Sequence, residues 1–401
     1  MHLSPAPALL ALCLLCALIS LQGASAQDPE EAPSSGRKHG RTGGGAQSVL
    51  SGHGLREHKD RGIVLQPISN LTMVGVDAGC KHTKLYETTA HVKFPMCMGT
   101  TDQDMKNGMS IINLINSRGY LPTCRVMQVM LWMSASVSEG GQQSRDSFVD
   151  IGSNIGSCSV HMASLGFPVV LAEPVQEHIN TIRGSAAINP YFNMQIEHIG
   201  IAAEAKKIRA NFGHGARNWG ATEFHEVTDE KEQAEAEGLE LKTLDQVIGS
   251  RRVSLLKVDC EGCEWAAIKS ARRALRRIPM IKIELVQPDY TAGNETVSAE
   301  HVMQYMVDNG FDLFTDHWNE QSLYFGKQPN DVLDIDKMFG SIKFGIEADL
   351  PTLTQAAKTI LENPIELQNF NRRSWMNKAT DVIAIERTLA AKMRKHYLGT
   401  R

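Results

Sequence analysis

The middle of this chain predicts an open α/β sheet, mostly parallel, with helices on both faces. Two stretches carry that prediction. Phe148-Val-Asp-Ile-Gly-Ser-Asn-Ile-Gly156 is an apolar run that ends in an acid and turns through two glycines four apart. Ser254-Leu-Leu-Lys-Val-Asp-Cys-Glu-Gly-Cys-Glu-Trp265 is a second apolar run that breaks into an acid-rich turn. Short apolar runs alternating with helical segments imply parallel strands buried on both faces. Ligands of such sheets sit outside the carboxyl ends of the strands.

The elements follow in order. Strands are expected at 148–151, at 169–172, near 194–199, from 253, and at 280–285. Helices are expected at 157–165, 267–275 and 299–309, the last ending at Gly310 as a helix terminus favours. Phe311 to Thr315 reads as a sixth strand, and Asp381 to Ile385 as a seventh, antiparallel one. On that reading, about 319–379 is a long insertion over the site end. Ahead of the core, 109–115 reads as a helix, and 125–133 is apolar enough for helix or strand. The charged segment 228–238 reads as a solvated insertion, either a short helix or a loop. Arg272, Arg273, Arg276 and Arg277 flank an apolar stripe of Ala271, Ala274, Leu275 and Ile278. A solvated face is the plain reading of them, and an anionic polysaccharide partner the sharper one.

Glu173, in Leu171-Ala-Glu-Pro174, lies 23 positions after Asp150. That is close to the spacing at which an acid meets a ribose diol. Asp150 argues against a dinucleotide, because a pyrophosphate needs helix N-terminal amides and would be repelled by a carboxylate. A cationic adenosine ligand suits the pair better. S-adenosylmethionine has a ribose, an ammonium and a sulfonium, and no phosphate. Asp150 is expected to reach the ammonium, directly or through water, with helix capping as its plain alternative. Gly152 and Gly156 are expected to let the backbone approach the ligand, and Glu173 to take the ribose hydroxyls.

Alternation along 254–260 puts Leu255, Lys257 and Asp259 on one face and Leu256, Val258 and Cys260 on the other. A lysine in so apolar a strand needs partners. Asp259 and Glu284 are the candidates, in a cluster at the mouth where an acceptor enters. Asp259 or Glu261 is the expected general base or acceptor-hydroxyl ligand; a structural ion-pair network is the competing reading. Asp259, Glu261 and Glu264 also resemble hard-cation ligands, a minority reading. Cys260 and Cys263 form a lone CxxC without a second pair at zinc spacing. They are expected to pack as small hydrophobes, with a local disulfide as the alternative. His214, Asn218 and Trp219 lie where such folds often build acceptor contacts.

Taken in order, these motifs resemble the FkbM-type methyltransferases. The family pattern reads here as Asp150 to Gly156, Glu173-Pro174, Leu244-Asp245, Lys257 to Glu264, and Glu284. The resemblance covers about 148–318, more faintly 101–122. It implies a class I methyltransferase sheet, S-adenosylmethionine as cofactor, and a hydroxyl acceptor such as a sugar. It also implies cofactor contacts from Asp150, Gly152, Asn154, Gly156 and Glu173, and catalytic roles among Lys257, Asp259, Glu261 and Glu284. The family pattern brings no metal. The cysteines at 260 and 263 depart from it, since small apolar residues usually stand there.

At 401 residues and a net charge of −4, the chain can bury a full core and carries no nucleic-acid signature. Its first 26 residues hold a short apolar run and Ala24-Ser-Ala26, which reads as a secretory signal peptide; an uncleaved anchor is the alternative. Residues 27–62 read as a flexible linker, 63–147 as an accessory region, and 148–401 as the catalytic domain. Asn70-Leu-Thr72 and Asn294-Glu-Thr296 are glycosylation sequons. Six cysteines follow the leader, and at least one bridge is expected among Cys80, Cys97 and Cys124. The favoured function is a lumenal or secreted O-methyltransferase of a carbohydrate or other hydroxyl-bearing acceptor. A protein or lipid methyltransferase and a non-catalytic binding module with the same fold are the alternatives.

Overall fold

The computed structural model describes residues 80–87, 93–100, 109–138, 146–214, 222–226, 237–285, 287, 289–315, 350–367 and 381–400. The expected leader and linker, Asn70, Asn218, Trp219, 228–236 and most of the 319–379 insertion lie outside those residues.

The chain opens with a hairpin of β1 (His82–Glu87) and β2 (Lys93–Gly99), then α1 (Met109–Arg118) and α2 (Pro122–Ser136). Pro122 at the first helical position settles the second of these as helix, since its missing N–H would have no partner there anyway. An alternating core follows: β3 (Ser147–Ile151), α3 (Ser157–Ser164), β4 (Val169–Glu173), α4 (Gln176–Ile188) and β5 (Met194–His198). Next comes a small separate sheet of β6 (Gly200–Ile201), β7 (Lys206–His214), β8 (Thr222–Glu226) and β9 (Glu237–Lys242). The chain returns through α5 (Leu244–Ile248), β10 (Val253–Val258), α6 (Glu264–Ser270) and β11 (Met280–Glu284). It finishes with the hairpin β12 (Asp289–Ala292) and β13 (Glu295–Ser298), α7 (Ala299–Asp308), β14 (Phe311–Thr315), α8 (Leu350–Leu361), β15 (Asp381–Glu386) and α9 (Arg387–Leu398).

The central sheet runs β14-β15-β11-β10-β3-β4-β5. Pairings from β11 to β5 are all parallel. β15 inserts antiparallel between β11 and β14. This is the mostly parallel sheet with an antiparallel last strand that the sequence predicts. Strand order reverses between β3 and β10, so their carboxyl ends flank the crevice where such sheets bind ligands.

Alternation divides the core. Phe148, Leu171, Leu255, Met280 and Ile383 pack with buried residues of the hairpin, α1, α2, α3, α8 and α9. Val149, Ile151, Leu256, Val258, Ile281 and Ile283 pack with α5, α6 and α7 on the other face. Lys257 shares the face of Leu255, as expected.

Two expectations change. The helix expected at 267–275 is shorter, ending at Ser270, with a 3-10 turn at Leu275–Arg277. The Asp245 carboxylate accepts from the backbone N–H of Arg273 at 3.1 Å and of Ala274 at 2.8 Å. Those donors are taken by a side chain, which competes with continued helix. The inner stripe still buries Ala271, Ala274, Leu275 and Ile278, and the four arginines are exposed. The small sheet after β5 was not foreseen, because its apolar residues are few and interspersed with charged ones, as in Lys207-Ile-Arg209 and Glu240-Leu-Lys242.

Bridges Cys80–Cys97 and Cys124–Cys158 tie the amino-terminal region together and to α3. Between them lies a buried polar chain. The Leu121 N–H donates to the Tyr86 hydroxyl (2.9 Å), which meets His161 Nδ1 at 3.3 Å, while His161 Nε2 meets Gln128 Oε1 at 2.8 Å. The amide oxygen can only accept, so Nε2 carries the proton and Nδ1 accepts from tyrosine. A neutral ring satisfies every partner. Burial, helped by the Arg125 charge, lowers the His161 pKa from 6.5 to about 3. Above pH 6.5 the ring is neutral folded and unfolded. Below it, only the unfolded chain takes up the proton, so stability is lost as pH falls from 6.5 toward 3, by ~1.4 kcal/mol per pH unit at most. Urea unfolding across that window should show the loss, and His161→Gln should flatten it.

Candidate functional site

The site forms where β3, β4, β10 and β11 end. After β3 the chain turns through Gly152, Asn154 and Gly156, all with left-handed backbone (φ 72°, 52° and 80°). A side chain at Gly152 would place its Cβ 1.8 Å from the Asp259 carbonyl oxygen, and one at Gly156 would meet Ile182 at 2.8 Å. Both glycines are therefore required by neighbouring protein atoms. Gly152 lines the cleft as well, whereas Gly156 lies behind it.

Asp150 is fully buried. Its Oδ2 accepts from the Ser159 hydroxyl at 2.7 Å, and its Oδ1 lies 3.2 Å from Lys257 Nζ. It does not line the cleft. The expected direct reach to a ligand ammonium gives way to an internal role, because its charge is consumed by Lys257. That ammonium also donates to the Gly152 carbonyl at 3.0 Å and pairs with Asp259 at 3.2 Å. Burial pulls the Lys257 pKa down, and the charges of Asp150 and Asp259 outweigh it, so the group stays charged with its pKa raised.

Glu173, at the end of β4, is buried but lines the cleft. Its Oε2 accepts from the Asn154 N–H at 2.8 Å; its Oε1 accepts from the Val175 N–H at 3.1 Å and contacts His178 Nδ1 at 2.9 Å. His178, five residues on in the first turn of α4, was missed by sequence reasoning, as was Ser159. Each is an ordinary helix residue in sequence, and only the packing of its helix against the sheet brings it to its carboxylate.

Across the cleft lies the acidic turn. The Asp259 side chain is 36 % exposed and faces the opening. Burial on its inner side pushes its carboxyl up, but Lys257, a hydrogen bond with Glu284 and the Lys282 charge together hold it below the usual carboxylate range. Glu284 moves the other way. Burial and the charges of Asp259, Asp381 and Glu261 raise it well above the ordinary value. The two carboxyl groups are hydrogen-bonded to each other and shifted in opposite directions. The expected Lys257–Asp259–Glu284 cluster exists with a different wiring: Lys257 bridges Asp150 and Asp259, while Lys282 on β11 pairs with Asp381.

Glu264 turns inward, where its two oxygens accept from the N–H groups of Cys260 and Gly262, each at 2.9 Å. Burial raises its carboxyl to about 7 against those donors. It clasps the turn and is withdrawn from any cation site. Asp259, Glu261 and Glu284 instead bring carboxylate oxygens within 4.8 Å of one another, a spacing that could hold a hard cation. Cys260 and Cys263 are joined in a disulfide. That corrects their expected packing as separate small hydrophobes: opposite ends of a tight turn bring the two sulfurs together.

Ile151, Ala172, Pro174, Ile199, Gly200 and Ile201 add the apolar lining between these polar walls. Glu261 has φ 55°. It and Asn154 are the two non-glycine residues with positive φ among the described residues, each costing roughly 1–2 kcal/mol, and both line this cleft. Such conformations persist where surroundings impose them, commonly at functional sites. His214 ends β7; the exposed arginines lie ahead of β11, at the opposite end of the sheet from the cleft.

Residues 150–313 match the methyltransferase FkbM domain. No curated protein matches the chain. Among solved structures, the bifunctional kinase-methyltransferase WbdD is 16 % identical over 41 % of this chain, with a TM-score of 0.25. The match covers 28 % of WbdD's own length. A Burkholderia thailandensis protein bound to S-adenosyl-homocysteine is 10 % identical over 67 % of this chain and 76 % of its own (TM-score 0.28). Precorrin-6y C5,15-methyltransferase from Geobacter metallireducens is 11 % identical over 45 % and 70 % (TM-score 0.23). Likenesses this faint carry no argument about the site, whose strand order and geometry stand by themselves. The match to the methyltransferase FkbM domain spans both the glycine turn after β3 and the acidic turn after β10.

Proposed function

We propose that this protein transfers a methyl group from S-adenosylmethionine to a hydroxyl of a carbohydrate or similar acceptor, within the secretory pathway or outside the cell. The observation that carries the reading is the cleft itself: Glu173 on one wall faces Asp259 and Glu261 on the other. One wall suits an adenosine, and the other suits a hydroxyl and its proton.

Glu173 has about four acceptor positions, and three are occupied by Asn154, Val175 and His178. One remains, on Oε2, for a ribose hydroxyl. Asn154, Gly152 and Gly156 shape the turn beside it. Asp150 acts through Lys257, which fixes both loops. The bound cofactor supplies an activated methyl on a positively charged sulfur. The chain must align an acceptor oxygen with it and remove the hydroxyl proton.

Asp259 is a weak base, because Lys257 and Glu284 both stabilise its ionised form. A weak base is sufficient if the proton leaves late. As an acceptor oxygen bonded to the methyl and the methyl–sulfur bond broke, with its electron pair going to sulfur, the oxygen would become positively charged and its proton acidic enough to pass to a carboxylate. Asp259 orients the hydroxyl first and takes its proton afterwards, with Glu261 beside it. This reading accounts for the placement of a low-pKa carboxylate at the opening. A purely structural network would have no need to expose it.

Three disulfides are compatible with an oxidising compartment, and no helix among the described residues is long and apolar enough to cross a membrane. Asn294 is exposed at the tip of the β12–β13 hairpin, where a glycan could be attached.

S-adenosylmethionine and S-adenosylhomocysteine should raise the melting temperature, and NAD should not, since a ligand specific to the native state stabilises it. Glu173→Ala should lose most of that shift; a shift with NAD alone overturns the cofactor assignment. Asp259→Asn should keep cofactor binding, because Lys257 retains Asp150, yet lower kcat by about 10²–10⁴-fold on whichever acceptor of a glycan panel takes labelled methyl. Unchanged turnover in the folded variant would remove Asp259 from the chemistry, and transfer to protein alone would move the acceptor class. Peptide mapping of secreted protein should find cleavage after Ala26 and glycan on Asn70.

A further inference from the structure

Cys260 and Cys263 close a covalent ring around the two residues between them, Glu261 and Gly262, and both cysteines line the cleft beside Asp259. Glu261 and Gly262 have φ of 55° and 118°. The glycine adopts this freely, whereas glutamate does so only under constraint. Constraint comes from two sides. Glu264 binds the amides of Cys260 and Gly262 from beneath, and the disulfide bounds the turn along the cleft. The result is the convergence of Glu261 with Asp259 and Glu284. Short-loop closure removes alternative conformations of the enclosed residues, so the bond and the glutamate's placement are linked.

The bond also differs from its two counterparts in access. Cys97 and Cys124 are fully buried and Cys158 is 3 % exposed, so each of the other bonds has at least one sealed sulfur, and Cys80 alone among those four is half-buried. Cys260 and Cys263 are both only half-buried, and exchange requires a sulfur that an attacking thiolate can reach.

We propose that the Cys260–Cys263 disulfide is a redox-sensitive positioning element, which holds Glu261 in the cleft when oxidised and releases it when a small dithiol reduces the bond. The inference rests on the cofactor reading of this cleft. A thiolate of the dithiol attacks one sulfur, the Cys260–Cys263 bond breaks, and a mixed disulfide forms. The second thiol of the reductant then closes its own disulfide. Two electrons and two protons pass to the cysteines, which end as two thiols, and the reductant leaves oxidised. Exchange with an oxidised disulfide reverses the step. The oxidised site is the competent one.

The experiment uses full-length protein, oxidised or treated with dithiothreitol under native conditions. Free thiols are located by alkylation and peptide mass, amide hydrogen exchange is followed over 259–265, and S-adenosylhomocysteine affinity is measured by calorimetry. Cys260 and Cys263 should be alkylated first. Their reduction should speed exchange in that turn and weaken S-adenosylhomocysteine by about tenfold, an ordinary coupling between a switch and a site. The double variant Cys260→Ser/Cys263→Ser should match the reduced protein and ignore the dithiol. Unchanged exchange with both thiols free overturns the proposal, because the turn then holds without the bond. Faster exchange with unchanged affinity overturns it as well, since the bond would not position the site. If neither form binds S-adenosylhomocysteine or S-adenosylmethionine, the cofactor reading falls and takes the proposal with it, an outcome that the exchange data keep distinct from the first failure.

Discussion

One buried ammonium organises this site. Lys257 sits at 7 % side-chain exposure with Asp150 on one side and Asp259 on the other. Removing a charge from water costs several kcal/mol unless partners and hydrogen bonds replace the solvent. Here the replacement comes from two different loops, through both carboxylates and the Gly152 carbonyl. Satisfying the lysine therefore docks the glycine turn after β3 against the acidic turn after β10. Those are the strands flanking the reversal of the sheet, so a local electrostatic requirement falls where the topology opens a crevice.

The same docking explains the backbone conformations. The Asp259 carbonyl occupies the place of a missing side chain at Gly152, which requires glycine there whatever the ligand. Once the loops interlock, the two acids at the crevice diverge in character. Against burial, Lys257 and a hydrogen bond with Glu284 hold Asp259 below the usual carboxylate range, while burial and the neighbouring carboxylates push Glu284 above it. On the opposite wall, Glu173 is held by the Asn154 and Val175 backbone N–H groups and by the His178 ring.

Much of this was legible in the sequence. Apolar run lengths and the acids ending them gave the strands, and Asp381 to Ile385 announced the antiparallel partner of β11. Alternation placed Lys257 and Asp259 on one face, because a strand period of two leaves no choice. What stayed hidden depended on contacts between distant segments. Ser159 and His178 reach their carboxylates only through helix packing, and Lys282 meets Asp381 only because β15 enters beside β11. The small sheet of β6 to β9 escaped notice because strands with few apolar residues between charged ones carry little apolar signal. The helix after the acidic turn was drawn too long, since nothing local shows that Asp245 captures its backbone donors.

The Cys124–Cys158 bridge carries a last consequence, for the chain as a covalent graph. It links α2, ahead of the sheet, to α3, inside it, and so encloses the whole of β3 within a closed loop of 34 residues' separation. A single backbone cut within that loop leaves the two fragments one molecule, joined through sulfur and through a hydrophobic core that both supply. The amino-terminal region thus cannot be shed by one proteolytic event there, as a propeptide would be. It travels with the sheet until a reductant reaches a bridge whose sulfurs are sealed from solvent.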